Sequence, residues 1–331
     1  MKITQISIIG DGSWGTTLAV YLAKKKYAVE LWGPFPEMIN KVKKSRLNDQ
    51  FLPGIRIPAN VTMTTDMGEA TNKADLIILA TPSQYLEGAL LKIKKWPLKG
   101  KWVLSVIKGI DPHSLLRTSE IIEKHLGKIP LAVLSGPTIA MEVAKSIPTT
   151  AVIAASKRPL AEQLQRVLHS DSFRIYRHTD VVGVELGGSL KNIIAIACGV
   201  CDGLGFGTNA KAAILTRGLA EIARLGVAMG AKEKTFFGLS GLGDLVTTCV
   251  SSQSRNRHVG EQLGKGKSID QILSRMAMVA EGVVTSKAAV RLSRKYRISM
   301  PITEEVYKII YHKKNPKQAV FDLMSRELKS E

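Results

Sequence analysis

The most constraining feature of this sequence is a short apolar run, residues 6–9, that ends in three closely spaced glycines. Gly10, Gly12 and Gly15 have the spacing G-x-G-x-x-G, and a helical pattern follows over residues 14–24. The first glycine permits a tight turn, the second lets a phosphate approach the backbone, and the third lets the helix pack close to the strand. Exposed amides at the start of the helix favour an anion. The stretch therefore predicts a turn that binds the pyrophosphate of a dinucleotide.

The end of the second apolar run, residues 28–32, bears on which dinucleotide is bound. NAD-binding domains usually carry Asp or Glu there, about 20 residues after the glycine turn, to bind the ribose hydroxyls. In this chain residues 31–34 read L-W-G-P, and Glu30 lies inside the predicted strand. Because no carboxylate follows the strand and lysines are near it, the sequence predicts that NAD or NADP is bound, with NADP favoured.

Short apolar runs alternate with helical stretches through the first half of the chain. Such runs are typical of strands buried on both faces of a parallel sheet. The alternation predicts an α/β domain of the Rossmann type over residues 1–180. Residues 181–331 show long helical periods and no convincing strand, which predicts an all-helical second domain. The apolar runs are residues 6–9, 28–32, 75–80, 102–109, 131–137, 150–156 and 173–177.

The composition argues against several classes of protein. No apolar stretch approaches the roughly 18 residues that span a bilayer, and the first residues lack the pattern of a signal peptide. Three cysteines among 331 residues are too few for a disulfide framework. Six scattered histidines and a C-x-x-C late in an apolar helix predict neither a metal site nor a redox couple. We therefore expect a cytoplasmic protein without a membrane span or a metal.

The net charge of +19, from 47 Lys and Arg against 28 Asp and Glu, raises the question of a polyanionic partner. The basic clusters at residues 24–26, 41–46 and 92–95 lie in or beside helical patterns, where a solvated face is the simpler interpretation. No nucleic-acid motif accompanies them, and only 5% of the residues are aromatic. We expect no nucleic-acid partner and interpret the charge as an attraction for small phosphorylated substrates.

A glycine pair and a lysine mark the first helix of the second domain. Gly187 and Gly188 lie inside a helical pattern, where together they cost about 2 kcal/mol relative to alanine. We therefore expect a close backbone approach there by a ligand or by the other domain. Lys191 follows one turn later in an otherwise apolar helix, and we interpret it as a proton donor whose pKa is lowered by burial.

Two further segments of the second domain carry polar chemistry. The glycine-rich residues 238–243 precede Asp244, and Ser254, Arg255 and Asn256 open another helical pattern, with Ser254 as the predicted N-cap. A guanidinium, an amide and free backbone N–H groups at one helix start are suited to bind a phosphate. These residues predict a phosphorylated substrate.

Seven blocks, in the same order and over essentially the full chain, resemble those of the bacterial NAD(P)-dependent sn-glycerol-3-phosphate dehydrogenases. They are GDGSWGT, SVIKGI, LSGPTIAMEVA, ELGGSLKNIIAIACG, DGLGFGTNAKAAILTRGLAE, GLSGLGDLVTTC and SRNR. The resemblance implies the reversible reduction of dihydroxyacetone phosphate to glycerol 3-phosphate by NADH or NADPH, supplying glycerophospholipid synthesis. The oligomeric state stays open, with a homodimer as one alternative.

The resemblance also implies roles for single residues, with the residue matching Lys191 as the acid/base. The residues implied around the substrate are Lys108, Gly136, Thr138, Lys191, Asp244, Ser254, Arg255 and Asn256. The residues assigned to the dinucleotide are the glycines of the turn, Gly10, Gly12 and Gly15, and, from the resemblance, Ser13, Trp14, Pro34, Lys108, Ala140, Arg255, Val279 and Glu281. Trp14 is interpreted either as a flat lid on the cofactor or as a core side chain.

Three positions depart from the pattern of the family. Ile139 and Met141 replace the more usual Phe and Lys beside the cofactor, and Pro34 stands where relatives often carry a polar or basic residue. Two alternatives to the implied reaction remain. A related dehydrogenase for another small hydroxy acid or a sugar nucleotide would lack the phosphate site at residues 254–256, and a non-catalytic dinucleotide sensor would not need Lys191.

Overall fold

The computed structural model describes residues 2–328 and residue 330. The chain divides into two compact units. Unit 1 contains Met1–Lys108 and Leu116–Glu185, and unit 2 contains Gly109–Leu115 and Leu186–Glu331. Nothing in the sequence pattern indicated that the short segment Gly109–Leu115 packs with the second unit.

Unit 1 is built on one mostly parallel sheet. Its strands are β1 (Gln5–Ile9), β2 (Ala28–Trp32), β3 (Val61–Thr64), β4 (Leu76–Leu79), β5 (Trp102–Ser105), β6 (Leu131–Ser135), β7 (Thr149–Ala154) and β8 (Phe173–His178). Its helices are α1 (Ser13–Lys24), α2 (Pro36–Ser45), α3 (Met67–Asn72), α4 (Leu86–Ile93), α5 (Thr118–Leu126), α6 (Ala140–Ala144) and α7 (Arg158–Leu168), with a 3₁₀ turn at Ser83–Tyr85. The strand order is β3-β2-β1-β4-β5-β6-β7-β8.

The strand order places the glycine turn where such sheets bind ligands. β1 pairs in parallel with β2 on one side and with β4 on the other, so the direction of winding reverses at β1. The crevice outside the carboxyl ends of strands at such a reversal is the usual ligand site of an α/β sheet. Gly10 directly follows β1, and its amide donates to the carbonyl of Trp32 at the end of β2. The sheet thus fixes the turn at this edge.

Two details of the sheet differ from the sequence-based prediction. β3 was missed because its sequence, V-T-M-T, carries two threonines and forms no apolar run. β7 pairs antiparallel with β6, whereas a parallel sheet was expected. The chain leaves the carboxyl end of β6 through Gly136, which has a φ of +135°. It enters β7 at that same end of the strands, so β6 and β7 run in opposite directions.

Unit 2 is helical in the part of the chain that the structure describes. Its elements are α8 (Val181–Gly203), α9 (Thr208–Ala228), α10 (Glu233–Phe236), a π-helical turn (Leu239–Gly243), α11 (Asp244–Val250), α12 (Arg255–Gly264), α13 (Ile269–Leu273), α14 (Glu281–Tyr296), α15 (Pro301–Tyr311) and α16 (Pro316–Met324). Unit 1 ends at Glu185, the fifth residue of α8, so the division between the units falls within this helix.

Glycines bring α8 and α12 into backbone contact. A Cβ on Gly199 of α8 would lie 2.0 Å from the carbonyl oxygen of Arg257, and one on Gly260 of α12 would lie 2.0 Å from that of Ile196. Real side chains do not approach backbone this closely, so only glycine fits at these two positions. The crossing brings the start of α12 next to α8, which carries the candidate catalytic lysine.

α8 is also long and apolar enough to cross a membrane by length and composition alone. Of its most apolar window, 89% is buried inside the protein. Such burial is what a core helix shows, and the apolar surface is explained by packing against neighbouring elements of the fold.

Candidate active site

The glycine turn has the geometry that a bound pyrophosphate needs. Gly10 has a φ of +123°, and a Cβ there would lie 2.7 Å from the backbone of Ala80. A Cβ on Gly15 would lie 1.9 Å from the carbonyl oxygen of Gly10, so α1 can pack on the turn only with glycine at this position. At Gly12, in contrast, no described atom lies within 4 Å of such a Cβ. The backbone of Gly12 is therefore open to a ligand, and the turn fits a dinucleotide.

Three residues of the implied substrate set meet at the end of β6. Lys108 Nζ donates to the carbonyl oxygen of Gly136 at 3.0 Å and to the hydroxyl of Thr138 at 3.4 Å. The Thr138 hydroxyl also donates to that carbonyl at 3.1 Å. Lys108 is only half-buried, so its ammonium is held in place by neutral oxygens while remaining able to attract an anion.

The other residues implied for the cofactor in unit 1 lie around α1. Trp14 packs edge-to-face on Phe173, with ring centroids 6.5 Å apart, and it is partly buried at the margin of the core. The carbonyl of Ala140 accepts from the Thr17 hydroxyl at 3.2 Å, which fixes the start of α6 on α1. Pro34 is exposed and follows β2. The packing of Trp14 supports the core interpretation, and its role toward the cofactor stays a prediction.

In unit 2, the ammonium of Lys191 is paired with a carboxylate. Its Nζ donates to Asp244 Oδ1 at 2.7 Å and also to the Thr248 hydroxyl. Thr248 in turn donates to the backbone carbonyl of Asp244 at 2.7 Å. Lys191 is 6% exposed and Asp244 is 1% exposed. A charged pair in so little water depends on its hydrogen bonds, and Thr248 supplies one that sequence reasoning had missed.

The π-helical turn explains the unusual glycines on both sides of this pair. A Cβ on Gly187 would lie 2.5 Å from the carbonyl oxygen of Ser240, inside the turn. The close approach expected at Gly187 is therefore made by unit 2 itself, and the expected ligand or other domain was wrong for that position. Gly241 is needed as well, because its Cβ would lie 2.1 Å from the carbonyl oxygen of Phe236. The turn delivers Asp244 to the start of α11, facing α8.

An amide pair lies beside the lysine. Asn192 Oδ1 accepts from Asn256 Nδ2 at 2.9 Å, and Asn256 Oδ1 accepts from the amide of Gly282 at 2.9 Å. Both asparagine side chains are buried. Asn192 was not among the predicted site residues, although its position next to Lys191 on an apolar helix was a usable signal. The pair ties the start of α12 to α8 and to α14.

The start of α12 has the predicted cap. Ser254 is the N-cap, and its hydroxyl accepts from the amide of Arg257 at 3.2 Å. The Arg255 side chain keeps a surface exposed to solvent. Desolvation by the surrounding protein lowers the pKa of its guanidinium, and the charge of Glu281 at the start of α14 opposes this shift. Val279 is half-buried, just before α14. A capped helix start with an accessible arginine is suited to bind a phosphate.

Residues 2–328 and 330 contain no group of three His, Cys, Asp or Glu side chains placed to hold a metal ion. Cys198, Cys201 and Cys249 are buried and free. Burial raises the pKa of Cys201 to about 11, so its thiol is a poor nucleophile at neutral pH. These cysteines fill space in the core.

Two family models match this chain. The N-terminal part of the NAD-dependent glycerol-3-phosphate dehydrogenase family matches residues 5–161, and its C-terminal part matches residues 180–321. The chain belongs to the NAD-dependent glycerol-3-phosphate dehydrogenase family. Membership and structure together confirm the Rossmann-type first domain, the helical second domain and NAD(P) as the class of cofactor.

Similar proteins of this family cover the chain almost completely. The glycerol-3-phosphate dehydrogenase (NAD(P)+) of Chlorobium limicola is 47% identical over 329 residues, 98% of this chain and 99% of the relative. That of Citrifermentans bemidjiense is 46% identical over 330 residues, 99% and 98% of the two chains. The crystal structure of glycerol-3-phosphate dehydrogenase from Coxiella burnetii matches with a TM-score of 0.95 and 36% identity, over 98% of this chain and 99% of that one.

Proposed function

We propose that this chain catalyses the reversible reduction of dihydroxyacetone phosphate to sn-glycerol 3-phosphate, with NADH or NADPH as the reductant. The observation that carries the proposal is the buried Lys191–Asp244 pair beside the capped start of α12, in a chain that belongs to this family. A proton donor and a phosphate site are the two features that the reaction needs besides its cofactor. We further propose that the enzyme works in the cytoplasm, where its product supplies glycerophospholipid synthesis.

Lys191 is the proposed general acid. The nicotinamide supplies the hydride that C2 of the substrate receives. The oxygen on C2 then becomes an alkoxide, and Lys191 Nζ gives it a proton. The Asp244 carboxylate keeps the ammonium charged and pointed in one direction, and Thr248 holds the same nitrogen from a second side. In the reverse direction the neutral amine takes the proton back from the alcohol.

The phosphate of the substrate is assigned to the start of α12. The Ser254 hydroxyl, the Arg255 guanidinium and the second N–H of the Asn256 amide are its proposed donors. Asn256 is preorganised for this by its two buried hydrogen bonds. Lys108, held by Gly136 and Thr138, is the proposed stabiliser of negative charge on the substrate.

A steady-state assay tests the proposal. Oxidation of NADH and NADPH is followed with dihydroxyacetone phosphate, with unphosphorylated dihydroxyacetone and with a panel of small 2-oxo acids. We expect turnover with dihydroxyacetone phosphate and a much lower kcat/KM without the phosphate. Faster turnover of a 2-oxo acid or of a sugar nucleotide would favour the related dehydrogenase, and no turnover of any of these substrates would favour a dinucleotide sensor.

A further inference from the structure

Asp11, inside the glycine turn, carries a buried carboxylate oxygen without a partner. The residue is 7% exposed. Its backbone carbonyl accepts from the Thr16 hydroxyl at 2.9 Å and from the Asn48 amide at 2.8 Å, which fixes the backbone of the turn. Among the described residues, none donates a hydrogen bond to Oδ2 of Asp11. A buried acceptor of this kind is costly unless a donor reaches it, so its persistence in the turn calls for an explanation.

The Asp11 carboxylate lies at the end of β2. A Cβ built on Gly33, the residue after β2, would lie 2.5 Å from Asp11 Oδ2, so the carboxylate packs directly against Gly33. The same Cβ would lie 2.6 Å from Cδ1 of Ile39, and Gly33 is followed by the exposed Pro34. In dinucleotide-binding domains a carboxylate beside the end of the second strand binds the ribose hydroxyls of NAD. Residues 33–35, between β2 and α2, provide none here, but the fold supplies one from the glycine turn.

We propose that Asp11 sets the choice between NAD and NADP in this chain. A hydroxyl of the NAD ribose would donate to the unpartnered carboxylate, whereas the 2′-phosphate of NADP would bring like charge next to it in a poorly solvated place. Asp11 thereby favours NAD, although the residues that follow β2 alone predict a preference for NADP. The inference rests on the proposed function, since it requires a bound dinucleotide.

Burial is consistent with this role. It raises the pKa of the Asp11 carboxyl above its usual range, and a hydrogen bond from the residue's own backbone amide offsets only part of this rise. A donor from the ribose would stabilise the ionised carboxylate and remove part of that penalty. NADP cannot offer a hydroxyl at its 2′ position, so it would leave the penalty in place and add repulsion.

Direct binding measurements test the proposal without any turnover. The Kd values of NADH and NADPH are measured from nicotinamide fluorescence, with no substrate present. In the unchanged chain we expect NADH to bind about tenfold more tightly than NADPH, or better. Asp11→Asn keeps the shape and removes the charge, and it should shift the ratio of the two Kd values about tenfold toward NADPH. Asp11→Ser makes the same test with a smaller neutral side chain if the asparagine variant does not fold.

Glu30→Gln provides the matched control. Glu30 is a half-buried carboxylate inside β2 itself, and its neutralisation should leave the ratio unchanged. An equal shift in Glu30→Gln, an unchanged ratio in the folded Asp11 variants, or equal Kd values in the unchanged chain would each overturn the role of Asp11 and leave the proposed reaction standing. If neither dinucleotide binds the unchanged chain, the proposed function fails with it.

Discussion

The ammonium of Lys191 on α8 donates a 2.7 Å hydrogen bond to Oδ1 of Asp244, the first residue of α11. The two residues are 53 positions apart in the chain. Because both are almost fully buried, neither charge is stable without the other. The carboxylate favours the charged ammonium, which is the form that can give up a proton. The pair therefore serves both the stability of unit 2 and the chemistry that we propose.

Replacement of Lys191 tests the contributions of the pair to catalysis and to stability. In Lys191→Ala we expect kcat to fall by a factor of about 10² to 10⁴, the usual worth of a positioned acid. Thermal stability should also fall, because the Asp244 carboxylate loses its buried partner. NADH binding, measured by fluorescence, should be largely retained.

Lys101→Ala is the control for the loss of a buried lysine. Lys101 is 8% exposed, and its ammonium donates to the backbone carbonyls of Asn72 and Ala74 in unit 1. This variant should lose stability while the folded fraction keeps its kcat. A near-normal kcat in Lys191→Ala would show that Lys191 is not the proton donor.

The contact between α8 and α12 makes a second prediction. In Gly260→Ala the added Cβ would meet the carbonyl oxygen of Ile196 at 2.0 Å, and backbone cannot move aside easily. We expect a loss of about 1–3 kcal/mol of stability and reduced activity, because α12 carries Asn256 and Arg255. Chemical denaturation and the steady-state assay measure the two effects.

Gly88→Ala is the matched control for this substitution. Gly88 is an exposed residue of α4 with no described atom within 4 Å of a Cβ. Alanine there should stabilise the chain by up to about 1 kcal/mol through its helix propensity. Equal stabilities of the two variants would contradict the packing argument.

Local patterns in the sequence predicted the elements and the residues nearest to them. The glycine turn, the helical second domain and the Ser254 cap all depend on neighbours within a few positions. Each is a matter of periodicity, backbone conformation or a short hydrogen bond. Such features are encoded within single segments, and the structure confirms them.

The features that the sequence did not predict depend on contacts between distant parts of the chain. The partner of Gly187 is Ser240, and the carboxylate beside Gly33 comes from Asp11. β3 is a strand only because Val29 and its neighbours pair with it, since its own residues form no apolar run. Sequence spacing carries no information on which segments meet, and these contacts could not be predicted from it.

A buried glutamate makes a prediction about pH. Glu221 on α9 accepts from the amides of Ile302 and Thr303 at 2.7 and 3.1 Å, and burial raises its pKa from 4.5 to about 7. The folded chain therefore holds this proton to higher pH than the unfolded chain does. The contribution to stability is full below pH 4.5 and is lost as the pH rises through 7, by about 3 kcal/mol.

Thermal unfolding between pH 5 and pH 8 measures this loss. Glu221→Gln cannot titrate, so the stability of the variant relative to the unchanged chain should rise over this range. Glu304→Gln, in the first turn of α15, is the control and should show no such trend. A difference between Glu221→Gln and the unchanged chain that does not vary with pH would contradict the assignment.

The last prediction concerns Arg255, at the capped start of α12. Arg255→Lys keeps the charge but gives up the planar fork that binds two phosphate oxygens at once. We expect kcat/KM for dihydroxyacetone phosphate to fall by a factor of about 10 to 150, which corresponds to about 1.5–3 kcal/mol of lost transition-state stabilisation. The phosphate is remote from the reacting carbon, yet its binding orients that carbon. The kcat/KM for unphosphorylated dihydroxyacetone, a poor substrate throughout, should change little.

Arg257→Lys is the control on the same helix, because Arg257 pairs with Asp202 at 2.6 Å and is not assigned to the phosphate. Equal losses with both substrates in Arg255→Lys would place this guanidinium on the cofactor or in the fold, and the phosphate site would then lie elsewhere.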